Sequence, residues 1–354
     1  MVIIFAILAF GILIAVHELG HFFAAKAFGV KVEEFALGMG PAILKKQGKE
    51  TLYTLRLLPL GGFCAMEGED EEVDSPRAFS SQKAWKRAII LCAGAAMNFV
   101  MGFILVLCIA PMTANFVEPV IDSFMEGCPY VGEEALMEGD RIYSVDGHRT
   151  FFTNHVSQYM LRNGSEYHDI VLIRDGRRVK LENFYMVPVE YTQSDGSSVF
   201  KYGLYFSPRE FGLWANIKYA WFGSLDFCRL VWDSLGMLVS GQVGIRDMSG
   251  PVGVVDFVND MAQEAESTRE AAFDFCYIFA IIAVNLAVMN MLPIPALDGG
   301  RVFFLIVTWI IEKISRRKLN PKYEGYVHTA GFALLMALMV FIMFSDVLKA
   351  FFGV

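Results

Sequence analysis

Four stretches of this 354-residue chain stay apolar for about the length of a membrane crossing: 1–28, 88–110, 273 to about 311 with an interruption, and 327 to about 352. A helix rises about 1.5 Å per residue, so roughly 20 residues cover the ~30 Å of hydrocarbon in a bilayer. Composition agrees: 55% of residues are hydrophobic and 19% charged, too apolar a mixture for an ordinary soluble domain. A polytopic α-helical membrane protein with four transmembrane helices is predicted. The first stretch has neither the basic n-region nor the small-residue cleavage site of a signal peptide, so it is read as a span.

Loop charge sets the expected orientation. Lys26 at the end of the first stretch is followed by Lys31, Lys45, Lys46, Lys49, Lys83, Lys86 and Arg87 before the second, and Lys313, Arg316, Arg317, Lys318 and Lys322 lie between the last two. Short basic loops stay cytoplasmic, whereas the acidic run at Glu67, Glu69, Asp70, Glu71, Glu72 and Asp74 has little influence on orientation. The middle region and both ends are therefore expected outside. A formal net charge of −8 and the absence of a basic, aromatic-studded stripe argue against nucleic acid as a partner. Six scattered cysteines without a CxxC pair read as packing residues rather than a disulfide framework.

The sequence divides into an N-terminal membrane half, 1–110; a soluble insert, 117–190; a helical connector, 210–262; and a C-terminal membrane half, 273–354. Within the first, 51–66 alternates and then turns at Pro59 and Gly61-Gly62, which suggests a hairpin able to dip into the bilayer beside a wet site. In the insert, Asp146-Gly147 and Asp175-Gly176 separate short β-type runs. Aromatic and aliphatic residues recur at helical spacing over 214–238, as in an amphipathic helix lying on a membrane surface.

The chemistry is concentrated in His17-Glu18-Leu19-Gly20-His21. Histidines at i and i+4 project from one helix face and can share a metal, with the glutamate placed to take a proton from water. Such a group closing an apolar span is costly, and that cost favours function over chance. Asp298 is the acid lying well inside another apolar stretch, in Asn290-Met291-Leu292-Pro293-Ile294-Pro295-Ala296-Leu297-Asp298-Gly299-Gly300, where two prolines break the helix. Alone, Asp298 reads equally well as a helix N-cap. Beside the histidine pair, the ligand reading is preferred.

These motifs resemble those of site-2 proteases, the intramembrane zinc metalloproteases, of the bacterial kind with an inserted PDZ domain that includes regulator-of-sigma-E proteases. The likeness extends along nearly the whole chain: HELGH, FALGMGP at 35–41, LPLGGF at 58–63, EGDRIYSVDG at 138–147, MSGPVGV at 248–254 and NMLPIPALDGG at 290–300, in that order. It implies four transmembrane helices, a membrane-associated β-hairpin and an inserted PDZ-like α+β domain. It implies a Zn²⁺ cofactor held by His17, His21 and Asp298, with Glu18 as general base. On the substrate side it implies Asn290, Pro293 and Pro295, together with Gly61 and Gly62 of the β element, which pairs with an unwound substrate strand.

The implied partners are membrane lipid and single-span membrane proteins, such as anti-sigma factors or remnant signal peptides, cut in a bacterial cytoplasmic membrane with the PDZ-like domain outside. The chain departs from the family pattern at Gly94-Ala95-Ala96-Met97-Asn98-Phe99, where a proline commonly follows the glycine. Asn98 reads as an interhelical hydrogen-bond partner at least as well as a catalytic group. His148, His155, His168 and His328 lack metal-ligand spacing and are expected at the surface. Ser-His-Asp catalysis is rejected because neither His17 nor His21 has a serine partner in view. Two competing readings are a non-hydrolytic metal-binding scaffold, disfavoured by the intact Glu18, and a metal transporter, disfavoured by the scarcity of polar residues in the fourth span.

Overall fold

A computed structural model describes residues 2–69, 73–112, 117–162, 164–192, 197–208, 212–242, 267–315 and 322–352, with Gly253, Val258 and Met261 between them. The MSGPVGV segment apart from Gly253, part of the acidic run, residues 316–318 of the last basic loop and most of the connector beyond 242 lie outside the described residues. The chain forms two compact units, 1–106 with 227–354, and 107–226.

The first unit is helical. It contains α1 (Val2–Ala27), α2 (Ala84–Ile109), α5 (Thr268–Asn290), α6 (Asp298–Ser315) and α7 (Lys322–Phe352), with α4 (Leu213–Val239) running into it. Four of these helices, over Leu8–Ala27, Ala84–Met112, Thr268–Asn290 and Gly325–Phe344, are long and apolar enough to cross a membrane. Their outer faces carry exposed large apolar side chains, among them Phe332, Leu334 and Phe341 on α7, as expected where lipid is the solvent. The third apolar stretch is interrupted at 291–297 and resumes as α6, because Pro293 and Pro295 cannot donate to a helical ladder.

Inside, α1, α2 and α5 meet at Leu13, Phe279 and Ala283. Gly102 permits the close crossing of α2 and α5: a methyl there would lie 2.6 Å from Val284 Cγ2. Helix α5 starts from an N-cap, Ser267, whose hydroxyl accepts from the Glu270 N–H.

Between α1 and α2 stand two long strands, β1 (Val32–Gln47) and β2 (Leu52–Met66). The sequence places a hairpin within 51–66; the structure shows a larger element with the chain reversal at 48–51. Both strands bend back on themselves. Val32 faces Met66 and Leu37 faces Gly62, yet Leu37 also faces Leu55, and Gln47 faces Leu52. Gly38, Gly40 and Gly61, all with φ between 83° and 88°, supply left-handed backbone at the bends. Val30, Val32, Phe35, Cys64, Met66 and Phe79 pack with Ala25 of α1 and Ile90 and Leu91 of α2. An ionic knot closes the far end: Glu50 pairs with Lys26 and Arg77, Arg77 Nε donates to the Gly29 carbonyl at 3.2 Å, and Lys26 Nζ donates to Thr51 Oγ1 at 2.9 Å.

The second unit is α+β. An antiparallel sheet in the order β5-β4-β6-β7 comprises β4 (Arg141–Val145), β5 (His148–Arg149), β6 (Tyr167–Arg174) and β7 (Arg177–Tyr185), with α3 (Thr153–Arg162) packed beside it. Two-residue turns at Asp146-Gly147 and Asp175-Gly176 have positive φ at both positions, the form that matches strand twist. Short ribbons pair β3 (Ile121–Phe124) with β10 (Leu204–Phe206), and β8 (Val189–Thr192) with β9 (Ser198–Lys201). Leu136, Ile142, Val145, Val156, Met160, Ile170 and Leu172 form the core. Asp140, buried, takes a two-pronged bond from Arg174 at 2.8 and 2.7 Å, and that guanidinium also donates to the carbonyls of Glu133 and Ala135.

Three of the histidines expected at the surface have structural work. His155 is 1% exposed: its Nδ1 accepts from the N–H groups of Phe151 and Phe152, and its Nε2 donates to Asp226 at 2.9 Å. His168, also 1% exposed, is bonded to Asp146 Oδ2 at 2.7 Å. His328 bonds the backbone of the 291–297 segment. The His155 and His168 rings are taken out of water because a polar partner distant in sequence satisfies them, and half-buried His328 is likewise bonded across sequence, pairings that ligand spacing does not reveal.

Candidate metal centre

Helical spacing stacks His17 and His21 on one face of α1, and both are nearly buried, at 9% and 7% exposure. Asp298 is the first residue of α6. It reaches the same point because the 291–297 segment and the Gly299-Gly300 pair fold tightly together. A methyl at Gly299 would lie against the Met291 and Leu292 backbone, and one at Gly300 would lie 2.8 Å from the Ile294 carbonyl carbon.

Three donor atoms converge. His17 Nε2 and His21 Nε2 are 3.2 Å apart, and Asp298 Oδ2 is 3.1 Å from the first and 3.3 Å from the second. Among the described residues these three form the group able to hold a metal ion. Four ligands at zinc's usual bond lengths of ~2.0–2.2 Å stand about 3.3 Å apart at the corners of a tetrahedron, so the triangle fits zinc with a corner left open. Asp298 Oδ2 is also buried without a hydrogen-bond partner, the state of an atom whose partner is a cation.

The outer nitrogens fix the tautomers. His21 Nδ1 donates to the Ile90 carbonyl of α2 at 2.8 Å, leaving Nε2 with a lone pair for the metal. His17 Nδ1 lies 3.3 Å from the Asn98 amide and 3.5 Å from Asn290 Nδ2. With Nε2 as ligand, His17 Nδ1 carries a hydrogen and requires an acceptor. Asn98 is fully buried and its Oδ1 has no hydrogen-bond partner. The amide orientation that satisfies both groups puts Asn98 Oδ1 on His17 Nδ1.

Gly94 is a feature that motif reading passed over. A methyl there would overlap His21 Nε2 and stand 2.7 Å from His17 Cε1. One turn of α2 therefore supplies the space for the rings, and the next supplies Asn98. Gly20 brings α1 that close: its methyl would fall 2.7 Å from the Ala93 carbonyl carbon.

Glu18 faces the β element. A methyl on Gly62 would be 3.1 Å from Glu18 Cγ and 3.2 Å from Ile14 Cγ2, so the β2 backbone at Gly62 lies directly on the carboxylate arm. Gly61, bent to φ 84°, abuts Met39. Pro293 is exposed and Pro295 half-buried, both within the segment leading to Asp298. Arg301, one turn into α6, forms an ion pair with Glu69 of the loop after β2. Glu69 belongs to the acidic run that has little influence on orientation.

Residues 5–338 match the description Peptidase family M50. The chain belongs to that family. It is similar to a protein of Clostridium acetobutylicum provisionally named a zinc metalloprotease, 36% identical with 98% of this chain and 97% of the relative aligned. It is also similar to the zinc metalloprotease RasP of Bacillus licheniformis, 28% identical with 98% of each chain covered, and to the regulator of sigma-W protease RasP of Bacillus subtilis, 27% identical with 98% of each covered. The M50 chain is thus a zinc metalloendopeptidase of the site-2 protease type, with Zn²⁺ as cofactor. The four helices apolar and long enough to span among the described residues fit a multi-pass membrane protein.

Proposed function

We propose that this M50 peptidase cleaves single-span membrane proteins within the bilayer, with His17, His21 and Asp298 as zinc ligands and Glu18 as general base. The observation that carries the reading is the 3.1–3.3 Å triangle of donor atoms next to Glu18. Zinc, when bound, supplies Lewis acidity for the scissile carbonyl and lowers the pKa of water. Glu18 takes the proton from the attacking water and delivers it to the departing amide nitrogen. Asn290 offers an N–H to the substrate backbone near His17. Pro293 and Pro295 hold their segment out of helical form, so the substrate meets a rigid wall there.

A helix hides its peptide bonds, so a substrate must unwind before it reaches Glu18. The β2 edge near Gly61 and Gly62 is the template for that extended stretch, held by main-chain hydrogen bonds. The α+β unit is a PDZ-like domain on the outer side of a bacterial cytoplasmic membrane, consistent with basic residues in the loops on the other side. There it screens substrates by size. Trimmed anti-sigma factors and remnant signal peptides are the candidate substrates.

The test is zinc content and cleavage of a tagged single-span substrate by purified wild type and Glu18→Gln. Retained zinc with cleavage reduced about 10²–10⁴-fold is expected. Equal cleavage by the two proteins would remove Glu18 from the mechanism.

A further inference from the structure

We propose that His328 is a positioning residue for the zinc site, holding the segment that delivers Asp298 in its one working conformation. The inference rests on Asp298 being a ligand. It begins from the hydrogen bonds of 291–297, a break in helical structure where each backbone N–H needs a new acceptor. The Met291 and Leu292 N–H groups bond the carbonyls of Val288 and Met289; those of Ile294 and Leu297 bond the carbonyls of Leu292 and Ile294. Pro293 and Pro295 have none to give. Ala296 is left, and its N–H donates to His328 Nδ1 at 3.0 Å.

The location of that bond matters. Ala296 has φ +77°, a left-handed conformation that a residue with a Cβ adopts only when its surroundings impose it. It stands two residues before Asp298, so relaxing it turns the peptide that launches α6 and carries the carboxylate away from His17 and His21. The acceptor comes from another helix, α7. That helix approaches closely because of Gly331, where a methyl would lie 2.9 Å from the Pro295 carbonyl oxygen. The His328 ring is steadied edge-on by Phe304 of α6, with ring centroids 5.4 Å apart. Accepting at Nδ1 defines a neutral imidazole with its hydrogen on Nε2. The last helix thus provides no ligand but fixes the backbone that does.

The experiment compares full-length wild type, His328→Leu, His328→Asn and Asp298→Ala in detergent, measuring zinc affinity by chelator competition and the visible spectrum of the Co²⁺-loaded protein. Hydrogen exchange over 291–297 is followed in the metal-free protein. Asparagine places Oδ1 near the position of Nδ1, so it restores the acceptor without the ring. The expected result is a 10–100-fold loss of zinc affinity in His328→Leu, an altered Co²⁺ spectrum and faster exchange at 291–297, with His328→Asn largely restored in all three. Wild-type affinity, spectrum and exchange in His328→Leu would overturn the proposal, as would equal damage from leucine and asparagine, which would point to ring packing instead. Undiminished zinc binding by Asp298→Ala would instead sink the ligand assignment beneath it.

Discussion

Gly94→Ala tests the centre without touching a ligand or a charge. The added methyl would stand 2.3 Å from His21 Nε2 and 2.7 Å from His17 Cε1, where ordinary contact begins at 3.4 Å. The His17 ring therefore has to retreat by about 0.7 Å, and the His21 ring by more. Zinc sites tolerate bond-length departures of about 0.2 Å, so neither Nε2 can stay bonded from its new position unless α1 and α2 separate. Separation would give up the close backbone approach of Gly20 to Ala93. Overpacking of this kind costs about 1–3 kcal/mol, and 3 kcal/mol charged entirely to the metal-bound state would be a loss of roughly 150-fold in affinity.

The assay is zinc affinity by competition with a chromophoric chelator, with Gly11→Ala as control. Gly11 lies on the same α1 helix as the histidines with nothing within 4 Å of the added atom, so that variant should match wild type. If Gly94→Ala bound zinc as tightly as Gly11→Ala, the claim that α2 is shaped around the rings would be wrong.

Further outcomes are expected elsewhere. Asn98→Leu strands the His17 Nδ1 hydrogen, and zinc affinity should fall about 10–100-fold in chelator competition while the ligands stay intact. Glu50, drawn down to about 2 by Arg77 and Lys26, contributes stability that is complete above the ordinary carboxylate value near 4.5 and disappears as pH falls towards 2. Melting curves of wild type and Glu50→Gln should therefore differ at pH 6 and converge as pH approaches 2, and a constant gap would exclude the ion pair as the cause. For Arg301 and Glu69, a double-mutant cycle of Arg301→Met and Glu69→Gln read by thermal stability should give a coupling of about 1 kcal/mol; additive effects would show that the pair holds nothing.

What could be read from the sequence follows from where each signal resides. The histidine pair was legible because helical spacing alone brings positions 17 and 21 to one face. The helix break before Asp298 was legible because proline removes a donor wherever it occurs. The β element was legible only in part: its bends depend on Gly38, Gly40 and Gly61, and glycine announces permission to turn without saying which strand it will meet. Gly94 carried no sign of its role, since the information lies in an absent side chain whose neighbours are 73 or more positions earlier. His155, His168 and His328 were misread for a related reason. Their partners, Asp226, Asp146 and Ala296, are 71, 22 and 32 residues away, beyond any local pattern.

The donor triangle has a consequence for how such a protein comes into being. Its first two corners are made almost at once during synthesis, at residues 17 and 21, whereas the third waits for residue 298, after more than four-fifths of the chain has been built. On the proposed ligand set, a chain cut short before residue 298 has no complete donor triangle, so the centre can close only near the end of synthesis.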